Sequence, residues 1–170
     1  KRQRKYPIFN NAYMMTGSHH LYNYLPTKHE KWLTMIKQEI IDSGLIVDIL
    51  NAKTMEDVFR LLQGCSFLGS FLAYQYTIDM NYSPYINFSE NDFVKAGIGA
   101  IRGIKKCFLC YGNKCEDAIW YVKEHFNDLQ KRYGYTSFHP LLGHEPTLID
   151  LQNCFCETDK YLRAKMPELR

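Results

Sequence analysis

The sequence predicts an all-α domain, a compact bundle of about seven helices. Three observations predict it. Apolar residues recur at spacings of three and four through most of the 170 residues. Helix-start signals, Thr followed three residues later by an acidic residue, stand at Thr27 and Thr54. No stretch shows the two-residue alternation between turn signals that marks strands. With 46% apolar residues and no low-complexity tract, the chain has enough material for one sizeable core. We expect a basic arm or linker at residues 1–5 and a single helical domain over 6–166.

The first helix is expected from Asn10 to Tyr24, stopped by Pro26. Thr27 caps the second, with Glu30 completing a capping box and Gly44 ending it. A short helix follows Thr54, with Asp57 at the reciprocal position. Ser66 opens a long apolar helix through Phe67, Phe71, Leu72, Tyr74 and Ile78, which Asn81-Tyr82-Ser83-Pro84 ends, because Pro disfavours helix in the residue before it.

The run from Phe93 to Lys106 reads as a short helix, a Gly-x-Gly hairpin at Gly97 and Gly99, and a second helix opening with Arg102, Lys105 and Lys106. Glycines there permit positive φ and close backbone approach, leaving amides at the helix start open to an anion. Two readings stand. In one, a helix-hairpin-helix grips a DNA phosphate; in the other, a plain turn joins two packed helices whose basic face is solvated. Next comes one amphipathic helix through Ile119, Val122, Phe126, Leu129 and Tyr133, ending at Gly134. Residues 135–145 form an irregular connection. The last helix starts at Pro146 or Thr147, buries Leu148, Leu151, Phe155 and Leu162, and stops by Pro167.

The formal charge is +3, from 21 Lys and Arg against 18 Asp and Glu. Four of the cations are Lys1, Arg2, Arg4 and Lys5; the rest of the chain has 17 against 18, a net of −1. Nucleic-acid contact must therefore come from local clusters and the arm. The arm reads equally as a linker or an import-like patch. The chain lacks an initiating Met, and we expect it to be part of a longer protein that supplies a further protein partner. No segment nears the roughly 18 apolar residues of a membrane span, so no membrane contact is expected. Six cysteines spread over a core-forming chain favour reduced thiols and an intracellular setting, nuclear if the source is eukaryotic. Cys107, Cys110 and Cys115, with Cys154 or Cys156, leave a metal site open, but small buried hydrophobes is the stronger reading, and no metal or cofactor is expected. The histidines lack ligand spacing, and no phosphate-binding Gly-x-x-x-x-Gly-Lys-Ser/Thr loop is present.

Asp150, Asn153, Glu157 and Lys160 fall on one face of the last helix, flanked by Asp159 and Arg163. Such a stripe suits a general base, Asp150 or Glu157, beside an oxyanion-stabilising Lys160; equally it is the solvated face that any amphipathic helix needs. Tyr74, Gln75, Tyr76, Asn81 and Tyr82 offer stacking and hydrogen-bonding groups to an unstacked base, although most aromatics must be core. Gln75 and Asp79 either read a ligand or bind neighbouring backbone.

Four motifs resemble one family in order and spacing: residues 7–13 (PIFNNAY), 71–83 with Asp79, 96–108 (AGIGAIRGIKKCF) and 150–161 (DLQNCFCETDKY). The chain resembles the helical domain associated with 5-hydroxymethyluracil DNA kinases and α-glutamyl/putrescinyl-thymine pyrophosphorylases, over residues 6–163. The resemblance implies a distant kinship with helix-hairpin-helix DNA glycosylases, DNA as substrate, and thymine hypermodification as the setting. It implies Asp150 in the place of the catalytic carboxylate, with Glu157, Asp159 and Lys160 near a base pocket that includes Tyr13, Tyr74, Gln75, Asp79, Asn81 and Asn153. One departure counts against chemistry: after Tyr13, where the family pattern has an Arg and an acidic-basic pair, this chain has Met14 to His20. The expectation is thus a DNA-binding domain that is either a base-modifying transferase or glycosylase-like enzyme or a catalytically degenerate one. The alternative is a chromatin-associated module that binds protein or nucleic acid.

Overall fold

A computed structural model of the chain describes residues 15–135, 139 and 143–169. Among them are eight α-helices and no strand: α1 Lys28–Met35, α2 Leu45–Asn51, α3 Met55–Gln63, α4 Ser70–Asn81, α5 Ile98–Cys107, α6 Glu116–Glu124, α7 Phe126–Arg132 and α8 Leu148–Lys165. Helices start at both of the expected Thr signals. Thr54 and Asp57 make a full capping box on α3, and Thr27 Oγ1 accepts from the Glu30 amide while donating to its carboxylate. The core joins Met35, Ile49, Met55, Val58, Ile104, Ile119 and Leu148, all at most 1% exposed. Truncating any of the Met, Ile or Leu side chains among them to Ala should cost about 2–5 kcal/mol.

Four expectations are corrected. The helix expected over 10–24 does not form in its described part. Residues 15–19 are irregular and only His20–Tyr22 makes a 3-10 turn, because α1 side chains claim the backbone: Trp32 Nε1 donates to the Thr16 carbonyl and Lys31 Nζ to that of Gly17. The α4 helix begins at Ser70 rather than Ser66; Phe67 is buried with φ +67°, outside helical space, its ring stacked on Trp32. The helix expected through Tyr133 breaks at His125 into α6 and α7. There the imidazole competes with the amide of the same residue for the Tyr121 carbonyl, and Tyr133 is solvent-exposed. After α1 the chain continues as a π-helix, Ile36–Asp42. Within it Glu39 accepts from the Tyr22 hydroxyl and the Ser66 amide, tying α1 to the turn before α4.

The fourth correction concerns the expected hairpin. Residues 93–97 hold no helix, so its first arm is missing. Glu116 prevents it: the buried carboxylate accepts from Lys95 Nζ at 2.8 Å and from the Ala96 amide at 3.0 Å, while Val94 and Ala96 are both buried two residues apart. That is an extended strap, and α5 starts directly from it.

Candidate functional site

Among the described helices, α5 and α8 pack most extensively on one another. Glycines bring them close, and not through positive φ: Gly97 has φ −74° and Gly99 lies inside the helix. A Cβ at Gly103 would sit 2.0 Å from the Phe155 carbonyl oxygen, and one at Gly99 would sit 2.5 Å from Cys156 Sγ. Gly97 faces the Gln152 amide nitrogen, 3.6 Å from where a Cβ would be, and Lys106 reaches Asp159. Residue numbers thus rise together along both helices. They run parallel, and their amino ends, with the positive poles of both dipoles, lie at the same end.

The two amino ends are satisfied differently. On α8, Asp150 Oδ2 accepts from the Thr147 amide and hydroxyl in a capping box, and Asn91 Oδ1 accepts from the Leu148 amide. On α5 the N-cap is Gly97, which has no side chain with which to cap the first amides. Phe71 of α4 packs against Gly97, 3.2 Å from the would-be Cβ. Gln152 is 3% exposed and its Oε1 has no partner. An unpaired buried amide oxygen costs free energy, on the order of 1–3 kcal/mol, so it is a place to look for a ligand.

At the foot of α4 the Tyr82 phenol is raised above its ordinary value by local loss of water and by the nearby carboxylates of Glu90, Asp150 and Asp79, although the residue as a whole is exposed. This end is therefore polar and acidic on the α4 side. Along the outer face of α5 the sign reverses, with Arg102 and Lys105 exposed.

The remaining expected residues fall in different places. Lys106 is not on the basic face. Its side chain is 15% exposed and bonded at 2.7 Å to Asp159, which is fully buried and also has Arg163 at 3.0 Å. The Lys106 hydrogen bond, aided by Arg163, holds the Asp159 carboxyl below its usual range despite burial. Glu157 and Lys160 pair on the exposed surface, and Asn153 is exposed beside them. Such pairs contribute about 0.2–1 kcal/mol. Tyr74 is 2% exposed, set edge-on to Phe59 and Phe93. Asn81 is spent on structure, donating to the Phe88 carbonyl and accepting from its amide. Gln75 is half-buried and Asp79 exposed. Tyr13 lies outside the described residues. Among the described residues no three His, Cys, Asp or Glu side chains converge as metal ligands, and no helix is long and apolar enough to cross a membrane.

The structure thus gathers Gly97, Gly99 and Asp150 at one end with Tyr82, Glu90, Phe71 and Gln152. A family model described as the helical domain of 5-hmdU DNA kinase matches residues 1–170, the whole chain. The chain belongs to that family. Neither a curated protein nor a solved structure matches it. Membership agrees with the relation to thymine hypermodification that the motifs imply. In this 5-hmdU DNA kinase helical domain, Gln152 and Glu90 join the candidate site although motif reading does not single them out. A signal for Gln152 is present: it is a carboxamide between Leu151 and Phe155 on the helix face that Leu148 and Leu151 mark as buried.

Proposed function

We propose that this domain binds DNA across the amino-end face of the α5–α8 pair, as the base-engaging part of a thymine-hypermodification system. The observation that carries the reading is the parallel packing of α5 on α8. It leaves the uncapped α5 start beside a buried orphan carboxamide, with Arg102 and Lys105 exposed along the same helix. A phosphate suits the α5 amides and the basic face. The acidic side, with Tyr82, Glu90 and Asp150, repels phosphate and suits the polar edge of a base. If the domain does chemistry, Asp150 is the candidate base, since its Oδ1 lies outside the capping bonds, whereas Asp159 is locked to Lys106 and Arg163.

A second reading, binding without turnover, is favoured by one observation. Of the four residues proposed for catalysis, Asp159 sits inside an ion pair and Glu157 and Lys160 pair with each other in solvent. The test of DNA binding is Arg102→Glu with Lys105→Glu, measured by fluorescence anisotropy on duplex DNA across a salt series. Both side chains are exposed, so the fold should survive. Affinity should fall on every sequence and the log–log salt slope should flatten by about two, one for each phosphate no longer neutralised. Unchanged affinity and slope would remove the reading. Lys106 is the wrong residue for this test, because reversing its charge places two carboxylates together in the interior.

A further inference from the structure

At the other end of α5 lies a cavity of about 540 Å³, bounded by the end of α5, the 108–115 loop, α6 and α7. Phe108, Tyr111, Tyr121, Leu129, Arg132 and Tyr133 line it. Tyr121 is 45% and Tyr133 67% exposed, and the Tyr121 ring is braced from behind by His125, stacked at 4.3 Å between centroids. The rim is built. Asp117 Oδ2 accepts from the amides of Asn113 and Lys114, and Gly112, at φ +85°, leaves room for that carboxylate, which a Cβ would meet at 2.7 Å. The Asp117 charge is thereby spent on loop backbone, leaving Arg132 as the other charged residue of the lining.

We propose that this cavity takes one unstacked nucleotide, its base against the tyrosine rings and its phosphate on Arg132. The inference rests on the DNA-binding reading above and adds to it a second point of attachment. The size suits a small ligand of this class. Aromatic faces beside a guanidinium are what a sequence-tolerant single-strand platform uses. A path also leads there: Arg102 and Lys105 occupy the exposed face of α5 between its amino end and the cavity, and ten helical residues span about 15 Å. The Arg132 guanidinium beside the tyrosine rings favours a phosphate-bearing ligand over an apolar peptide.

The test uses the whole 170-residue chain with ring-labelled tyrosines, titrated with thymidine 5′-monophosphate and read by NMR. Tyr121 and Tyr133 resonances should shift, whether or not that of Tyr82 also moves. Tyr121→Ala should weaken binding about tenfold or more, and Arg132→Ala should bring the monophosphate down to the affinity of unphosphorylated thymidine. Adenosine monophosphate should bind within a few-fold, because stacking tolerates any base. No shift at Tyr121 and Tyr133, or binding indifferent to Tyr121→Ala, would overturn the proposal. So would binding of N-acetyl-tryptophanamide without the nucleotide, which marks a protein-binding groove. Tyr133→Ala, at a more exposed ring, serves as the second variant if Tyr121→Ala fails to fold. Failure of the DNA-binding reading is told apart by duplex anisotropy: the domain then ignores DNA whether or not the nucleotide shifts Tyr121.

Discussion

The two ends of the α5–α8 pair are built on opposite terms. Towards the carboxyl ends, Gly103 lets the helices touch backbone to backbone, and Lys106 and Arg163 close over a buried Asp159. Towards the amino ends, α5 has no side-chain cap, Gln152 Oε1 has no partner, and Asp150 commits one carboxylate oxygen and keeps the other. One end pairs its charges with one another. The other holds polar groups unspent, and a folded domain tolerates that cost where a ligand meets it.

If that contrast is right, the largest effect belongs to Gly103→Ala. Alanine is the better helix former, by up to about 1 kcal/mol, yet its Cβ would lie 2.0 Å from a backbone oxygen that no rotamer change can move. The helices must part, and urea denaturation should show a loss of about 3 kcal/mol. Asp159→Ala should cost a similar amount, about 3 kcal/mol, because it strands Lys106, at 15% exposure, without its anion. The pH dependence follows from the same pair. The Asp159 carboxyl is held below its unfolded value of about 3.9, so its contribution is full above that pH. It is lost as pH falls through the lower native value. Urea midpoints of the wild type should drop below about pH 4 more steeply than those of Asp159→Asn.

Gly99→Ala breaks the contrast more gently, since its Cβ meets a side chain, Cys156 Sγ at 2.5 Å, that can be removed. A loss of about 1–2 kcal/mol should be largely restored by adding Cys156→Ala, and a strictly additive double mutant would show that the helices do not meet there.

How much of this is legible in the sequence divides along the same line. The start signals at Thr27 and Thr54 are legible because donor and acceptor lie three residues apart and need nothing else. The Thr147 box brings a reinterpretation, since Asp150 caps the very helix whose polar face it was expected to arm. The strap at 93–97 is not legible: a carboxylate some twenty residues later, Glu116, sets its backbone. The glycines of the hairpin motif stand out in the sequence, but positive φ is the wrong reason for them and room for α8 the right one. Lys106 and Asp159 look like two exposed functional charges. They are 53 residues apart, and no local spacing reveals that they neutralise each other. The break at His125 depends on a ring competing for one carbonyl, which apolar periodicity does not register.

The smallest effect sharpens the comparison most. Asp150→Asn leaves only a neutral amide oxygen to accept in the cap and removes any catalytic charge with it, so alone it says little. Thr147→Ala removes the hydroxyl that accepts from the Asp150 amide and donates to its carboxylate, yet keeps that carboxylate at the α5–α8 amino end. Each should cost about 1 kcal/mol of stability, as cap losses do. If the amino end is only structural, the two variants will be equally weakened in whatever DNA binding or base modification the longer protein performs. If Asp150 faces the base, Asp150→Asn will lose function at a temperature where Thr147→Ala, equally destabilised, retains it. Gln152→Met supplies the complementary sign. Replacing an unpartnered buried amide by an apolar chain of similar volume should raise stability by up to about 1 kcal/mol. It should weaken DNA binding only if that oxygen meets the ligand. A variant that is more stable and binds as before would mean that the unspent polarity at this end belongs to packing, and the difference between the two ends would lose its functional meaning.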